Sequence, residues 1–236
     1  MPDNKLYRIL RIFISSPSDV APERARLATV IREDLQWLAN ELGFMLEMLD
    51  WPNVAPGAGR PEQVILDKYH PQTWDVFVGI MWHRFGTPPQ KFNAGAAETY
   101  FGGTEEEFRA AYSLWERHRQ PRVMFYRCDR PAPLNALEPD QLKRVRKFFK
   151  GFSPEGRHPG FYHTYMEPGD FERAVRRHLG QLVFEYWRES VADGLTGRKP
   201  VGAVRKAAKK PVTKSVKKAA RKSAAPLRAG AKNRKR

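Results

Sequence analysis

Gly103-Thr104-Glu105-Glu106-Glu107-Phe108-Arg109 sets three consecutive carboxylates behind a Gly-Thr pair, at the start of a segment with helical spacing. The partial positive charge of a helix N-terminus stabilises acidic side chains there, so Thr104 as cap and Glu107 three residues later make a sufficient capping box. The same setting also favours the ionised form of Glu107, which suits a nucleophile better than a proton donor. A carboxylate so placed can stabilise or trap the oxocarbenium-like centre formed when a glycosidic C–N bond breaks. Glu105 and Glu106 read as a solvated helix start.

Other residues with usable chemistry stand at the ends of apolar runs. Ser15, Ser16 and Asp19 follow Ile12-Phe13-Ile14 and offer hydrogen bonds to a ribose or a phosphate. Trp82 and Phe85 offer rings on which a base can stack, and Arg84 offers a bidentate partner for a phosphate. Each has a structural counterpart: Ser-Pro-Ser-Asp is good turn and cap chemistry, a strand-end tryptophan is commonly core, and Arg84 can pair with a surface glutamate.

Metal, dinucleotide and nucleotide motifs are lacking. The six histidines form no His-x-His or His-Glu-x-x-His pattern, and Cys128 is the single cysteine, so a zinc site is not expected. Gly57-Ala58-Gly59-Arg60 lacks the third glycine and the preceding strand of a Rossmann turn, and there is no P-loop. Cys128 reads as a buried small residue. No cofactor is expected.

The elements that must position these residues alternate between two periods. Tyr7–Ser15, Phe44–Asp50, Trp74–Trp82, Pro121–Arg127 and Gly160–Tyr165 read as strands. Helical spacing runs from Pro22 to Gly43, from Pro61 to Tyr69, from Thr104 to about Arg117, from Pro139 to Phe149 (a basic segment) and from Gly169 to about Glu189. Strand–helix alternation predicts an α/β fold, a doubly wound parallel five-stranded sheet, and five strands favour the flavodoxin-like order 2-1-3-4-5. In that order a ligand crevice lies beyond the carboxyl ends of strands 1 and 3, where Ser15–Asp19, Trp82–Gly86 and the Thr104 helix should meet.

Charge divides the chain. Of 42 Lys and Arg, 16 lie between Leu195 and Arg236, where there is no Asp or Glu; the remaining 26 match all 26 acidic residues. Residues 1–194 therefore read as a neutral domain and 195–236 as a disordered basic tail, too poor in apolar residues to order itself. Lys206, Lys209, Lys210, Lys217, Lys218, Arg221 and Lys222 lie in two near-repeats, and such a tail should bind nucleic acid without sequence preference and with strong salt dependence. A single cysteine, the absence of a signal-peptide pattern and the absence of a long apolar stretch lead us to expect a soluble cytoplasmic protein, with nucleoid association through the tail.

Three segments carry a resemblance: Ile12-Phe13-Ile14-Ser15-Ser16-Pro17-Ser18-Asp19-Val20 with Glu23-Arg24, Asp75–Ile80 with Trp82, Arg84, Phe85, Gly86 and Thr87, and Gly103–Phe108. Together, over about residues 7 to 126, they resemble an uncharacterised bacterial domain family of TIR-like fold, often N-terminal to NACHT/STAND-type ATPases. No ATPase module is present here. The wider superfamily includes TIR domains that hydrolyse NAD, and nucleoside deoxyribosyltransferases with a Gly-Thr-x-x-Glu motif whose glutamate is the nucleophile. The resemblance places that glutamate at Glu107, behind Gly103 and Thr104, and implies NAD or a nucleotide as substrate and self-association. Two other functions fit the same residues: a non-enzymatic nucleotide-sensing or scaffold module, and a nucleoid-associated protein dominated by its tail.

Overall fold

The computed structural model describes residues 6–50, 61–86 and 102–193. Gly57–Arg60 and the basic tail lie outside the described residues.

Five strands form one parallel sheet: β1 (Arg8–Ser15), β2 (Phe44–Leu49), β3 (Val76–Met81), β4 (Arg122–Cys128) and β5 (His163–Tyr165). Their order is β2-β1-β3-β4-β5, the flavodoxin-like order expected from the alternation of elements. Register places Ile12 beside Val76 and Ser15 beside Gly79, so β1 and β3 finish close together at the carboxyl edge.

Helices cover both faces. α1 (Ala21–Thr29) continues through a π-helical segment, Val30–Leu35, into α2 (Gln36–Glu41). It packs with α6 (Pro168–Ala192) on the face built from Leu10, Ile12, Ile14, Val76, Val78 and Ile80. On the other face lie α3 (Pro61–Lys68), α4 (Gly103–His118) and α5 (Pro139–Lys150), over Phe13, Phe77, Met81 and Phe125. β3 is buried at every position, which explains why Val-Phe-Val-Gly-Ile-Met shows no polar alternation. Each such fully buried large side chain contributes about 1.5–3 kcal/mol.

The second face is an aromatic core. Phe108 of α4 meets Phe77, Phe125, Phe148 and Phe152 at centroid distances of 5.1–6.1 Å. Gly79 is what admits Phe125 to this cluster: a Cβ there would lie 2.3 Å from the Phe125 ring.

The pleat sorts the strand ends. Alternate residues face opposite sides, so Ser15 shares the α4 side with Phe13, and Trp82, one residue beyond Met81, turns to the α1/α6 side. Among the described residues no helix is long and apolar enough to cross a membrane.

Candidate functional site

Glu107 points inward. Its Oε2 accepts a hydrogen bond from the Ser15 hydroxyl at 2.5 Å, linking the end of β1 to the first turns of α4 across 92 residues of sequence. Ser15 is 1% exposed and Glu107 8%, so the contact is screened from bulk water. The length is at the short end of the O–H···O range.

The helix start that delivers Glu107 differs from the expected capping box. Gly102, in an extended conformation, is the N-cap, and Thr104 is already inside the helix and buried, with no side-chain cap bond formed. Backbone contact explains the glycine: a Cβ on Gly102 would meet the Phe85 carbonyl oxygen at 2.2 Å. The chain at 102 thus presses on the segment leaving β3 and brings the α4 terminus to the carboxyl edge. Gly103 is the first residue of α4 and is half-buried.

Glu105 is not a solvated residue. It is 4% exposed, and its Oε1 accepts a bond from Arg109 Nη2 at 2.6 Å, one helical turn on. The cause is the angular position of 105 on α4, which the run of three glutamates does not reveal. Glu106 is half-buried and lines a separate groove of about 530 Å³ along the outer side of α4, with Arg109, Tyr112, Glu116 and His158; neither Ser15 nor Glu107 belongs to it.

Arg24 is the feature that sequence reasoning missed as a site residue. Its Nε donates to Ser16 Oγ at 2.9 Å and its Nη2 to the Pro17 carbonyl at 3.0 Å, so it ties the first loop to α1. Burial pushes the guanidinium below its ordinary range, and Asp50, Asp19 and Glu107 raise it in turn. One half-buried cation therefore faces three carboxylates drawn from the end of β2, the β1 loop and α4. The Glu23-Arg24 pair beside Ser-Pro-Ser-Asp was the available signal.

Asp19 and His83 form the next layer. The His83 backbone N–H donates to Asp19 Oδ2 at 3.3 Å, and its Nε2 lies 3.7 Å from the same oxygen. Burial raises the Asp19 pKa, opposed by His83 and Arg84. Asp19 Oδ1 and His83 Nδ1 are both buried and have no hydrogen-bond partner among the described residues.

Two expected ligand contacts, Phe85 and Trp82, are corrected, and a third, Arg84, is engaged by another side chain. Phe85 is fully buried; its ring packs edge-on against Phe148 at 5.4 Å and its N–H donates to Gln141 Oε1 at 3.0 Å, so it is core and offers no face to a base. Trp82 is held on the opposite side of the sheet from Ser15 and Glu107. Its indole N–H donates to the Arg130 carbonyl at 2.8 Å, and the Arg130 guanidinium covers the ring at 4.4 Å. Arg84 pairs with Glu138 at 3.0 Å on the surface, a contact of little energetic weight. Sequence gives the strand ends but not which side of the pleat each residue takes.

Behind Trp82 lies a second buried group. Glu23 is fully buried, and Arg130 Nη2 lies 3.6 Å from its Oε1. Burial raises the Cys128 thiol, which suits the inert residue expected there. Among the described residues no three His, Cys, Asp or Glu side chains are grouped to hold a metal ion.

Compared with known proteins, the chain matches no family model and no curated protein. Among solved structures it is similar to the flavodiiron protein from Giardia intestinalis, at 9% identity and a TM-score of 0.35, over 78% of this chain and 38% of that one. At that TM-score the likeness carries no functional argument.

Proposed function

We propose that this is a TIR-like domain protein that cleaves the N-glycosidic bond of NAD or a nucleotide, with Glu107 as the catalytic carboxylate, and that its basic tail holds it to nucleic acid. The observation that carries the reading is the 2.5 Å bond between Ser15 and Glu107 at the carboxyl edge of β1 and β3. Doubly wound sheets bind ligands there. The bond draws Glu107 inward against a strand end, beyond what the start of a helix needs, and sets it where a doubly wound sheet takes its ligand.

In this reading the C–N bond breaks and its electron pair leaves with the base. The anomeric carbon gains positive charge, which Glu107 stabilises or captures through a carboxylate oxygen. Water then adds its hydroxide to that carbon, and any bond to Glu107 breaks to return the free carboxylate. The water's proton goes to solvent or, for a nucleoside, is balanced by the proton the departing base takes up. Ser15 fixes the rotation of the carboxylate. Arg24 holds the negative charge of Glu107 in place beside Asp19 and Asp50. The Gly-Thr-x-x-Glu spacing of residues 103–107 supports the same assignment.

The test is release of free base. Full-length protein is incubated with NAD and with common nucleosides, alone and under conditions that promote self-association, beside Glu107→Gln and Glu107→Ala. Wild-type protein should release base, and both variants should lose on the order of 10²-fold or more. Binding of NAD without base release by any of the three would replace the enzyme with a sensing or scaffold module. Equal release by wild type and variants would remove Glu107 from the chemistry.

A further inference from the structure

The net neutrality of the body conceals a segregated charge on α5. Lys143, Arg146, Lys147 and Lys150 are all exposed, and their spacing of three, four and seven residues puts them on one face of the helix. Elsewhere in the body Arg8, Arg11, Arg26, Arg84, Arg109, Arg122, Arg127, Arg130, Arg173 and Arg176 each pair with a carboxylate, and exposed arginines without such a pair among the described residues, Arg32, Arg117, Arg177 and Arg188 among them, are spread over several helices. None of the four α5 cations has an ion-pair partner among the described residues, and Asp140, at the N-terminal end, is the one carboxylate of the helix.

The helix beneath the stripe is firmly held. Val145, Phe148 and Phe149 are buried in the aromatic core, and Gln141 accepts from the Phe85 N–H and donates to the Gly86 carbonyl. Seven residues of helix advance about 10.5 Å, and the long Lys and Arg side chains extend that reach. Phosphates along one strand are spaced about 3.4 Å apart in rise, so the stripe spans several of them.

We infer that the exposed face of α5 docks the phosphate backbone of a nucleic-acid duplex, as a surface separate from the tail. An anionic membrane fits less well. Membrane-surface helices sink an apolar face into lipid, and the apolar face of α5 is already in the core. The inference does not depend on Glu107 or on any glycosidic chemistry.

The experiment uses full-length protein, tail included. Binding of a fluorescent 20-base-pair duplex is measured from about 50 to 300 mM salt for wild type and for the combined Lys143→Gln, Arg146→Gln, Lys147→Gln, Lys150→Gln variant. Each lost phosphate contact lowers the slope of log K against log salt by about 0.9, so the slope should shrink by about 2–4. A charge-matched control, Arg32→Gln, Arg117→Gln, Arg177→Gln and Arg188→Gln, removes exposed cations from other helices and should change the slope by less than about 1. Thermal unfolding checks that the fold is intact; if the combined variant does not fold, Lys147→Gln and Lys150→Gln singly should each lower the slope by about 1. An unchanged slope overturns the inference, as does an equal loss in the control. Loss of binding to phosphatidylserine vesicles with duplex binding retained would assign the face to membranes and equally overturn it.

Discussion

Replacing Ser15 by alanine tests whether the contact that defines the site is energetically real. The hydroxyl is 1% exposed and donates to a carboxylate that is 8% exposed, so neither partner can turn to bulk water when the other is removed. Hydrogen bonds to charged groups contribute about 1.5–3 kcal/mol, and the carboxylate left behind loses a donor in a largely dry setting. The change in volume is small, so little of the loss can come from a cavity. We expect Ser15→Ala to destabilise the protein by about 2 kcal/mol, which for a domain of this size is a Tm lower by about 4–8 °C. Urea unfolding should show a lower midpoint with an unchanged slope, because the surface exposed on unfolding is the same. A double-mutant cycle with Glu107→Gln isolates the charged part of the bond, with an expected coupling of about 1 kcal/mol. If Ser15→Ala unfolds within about 0.5 kcal/mol of wild type, or the two changes add within about 0.3 kcal/mol, the pair is not coupled and the site argument built on it fails.

Two further perturbations probe the surroundings. Arg24→Gln should cost about 1–3 kcal/mol near pH 7, because it removes the charge-assisted bonds to Ser16 Oγ and the Pro17 carbonyl. It leaves Asp19, Asp50 and Glu107 without their shared cation. The loss should shrink as pH falls and Asp19, whose pKa burial raises, takes up a proton, and an equal loss in urea unfolding at neutral and acid pH would show that Arg24 acts by packing alone. His158 lies among Phe108, Phe148 and Phe152, and burial lowers its pKa from 6.5. The unfolded chain then binds the proton first, so this contribution is present above about pH 6.5 and is lost as pH falls through the folded-state value. His158→Phe should flatten that part of the Tm-against-pH curve. His178, lowered by burial and by His163 and Arg177, will leave a residual slope.

The sequence alone determined the order and type of the elements, because the periods that mark them, alternation in strands and three-to-four spacing in helices, are properties of neighbouring residues. The unbroken apolar run of β3 announced a strand buried on both faces, and alternation of strand with helix was enough to order the sheet. The segregation of positive charge into residues 195–236 was equally plain, since it is a matter of counting. Glu107 was singled out, although the helix began one residue earlier than expected and was capped by Gly102. What only the tertiary structure decided is who meets whom at the carboxyl edge. Ser15 and Glu107 are joined because the pleat turns Ser15 toward α4, and the same alternation turns Trp82 away. Phe85, two residues beyond His83, sinks into the aromatic core, whereas His83 stays beside Asp19. Arg24 stands among three carboxylates that are 5, 26 and 83 positions away in the chain, counted to Asp19, Asp50 and Glu107. No local pattern encodes such distances. They follow from the side of the sheet each residue takes and from the packing of α4 against it, which depend on the whole fold at once.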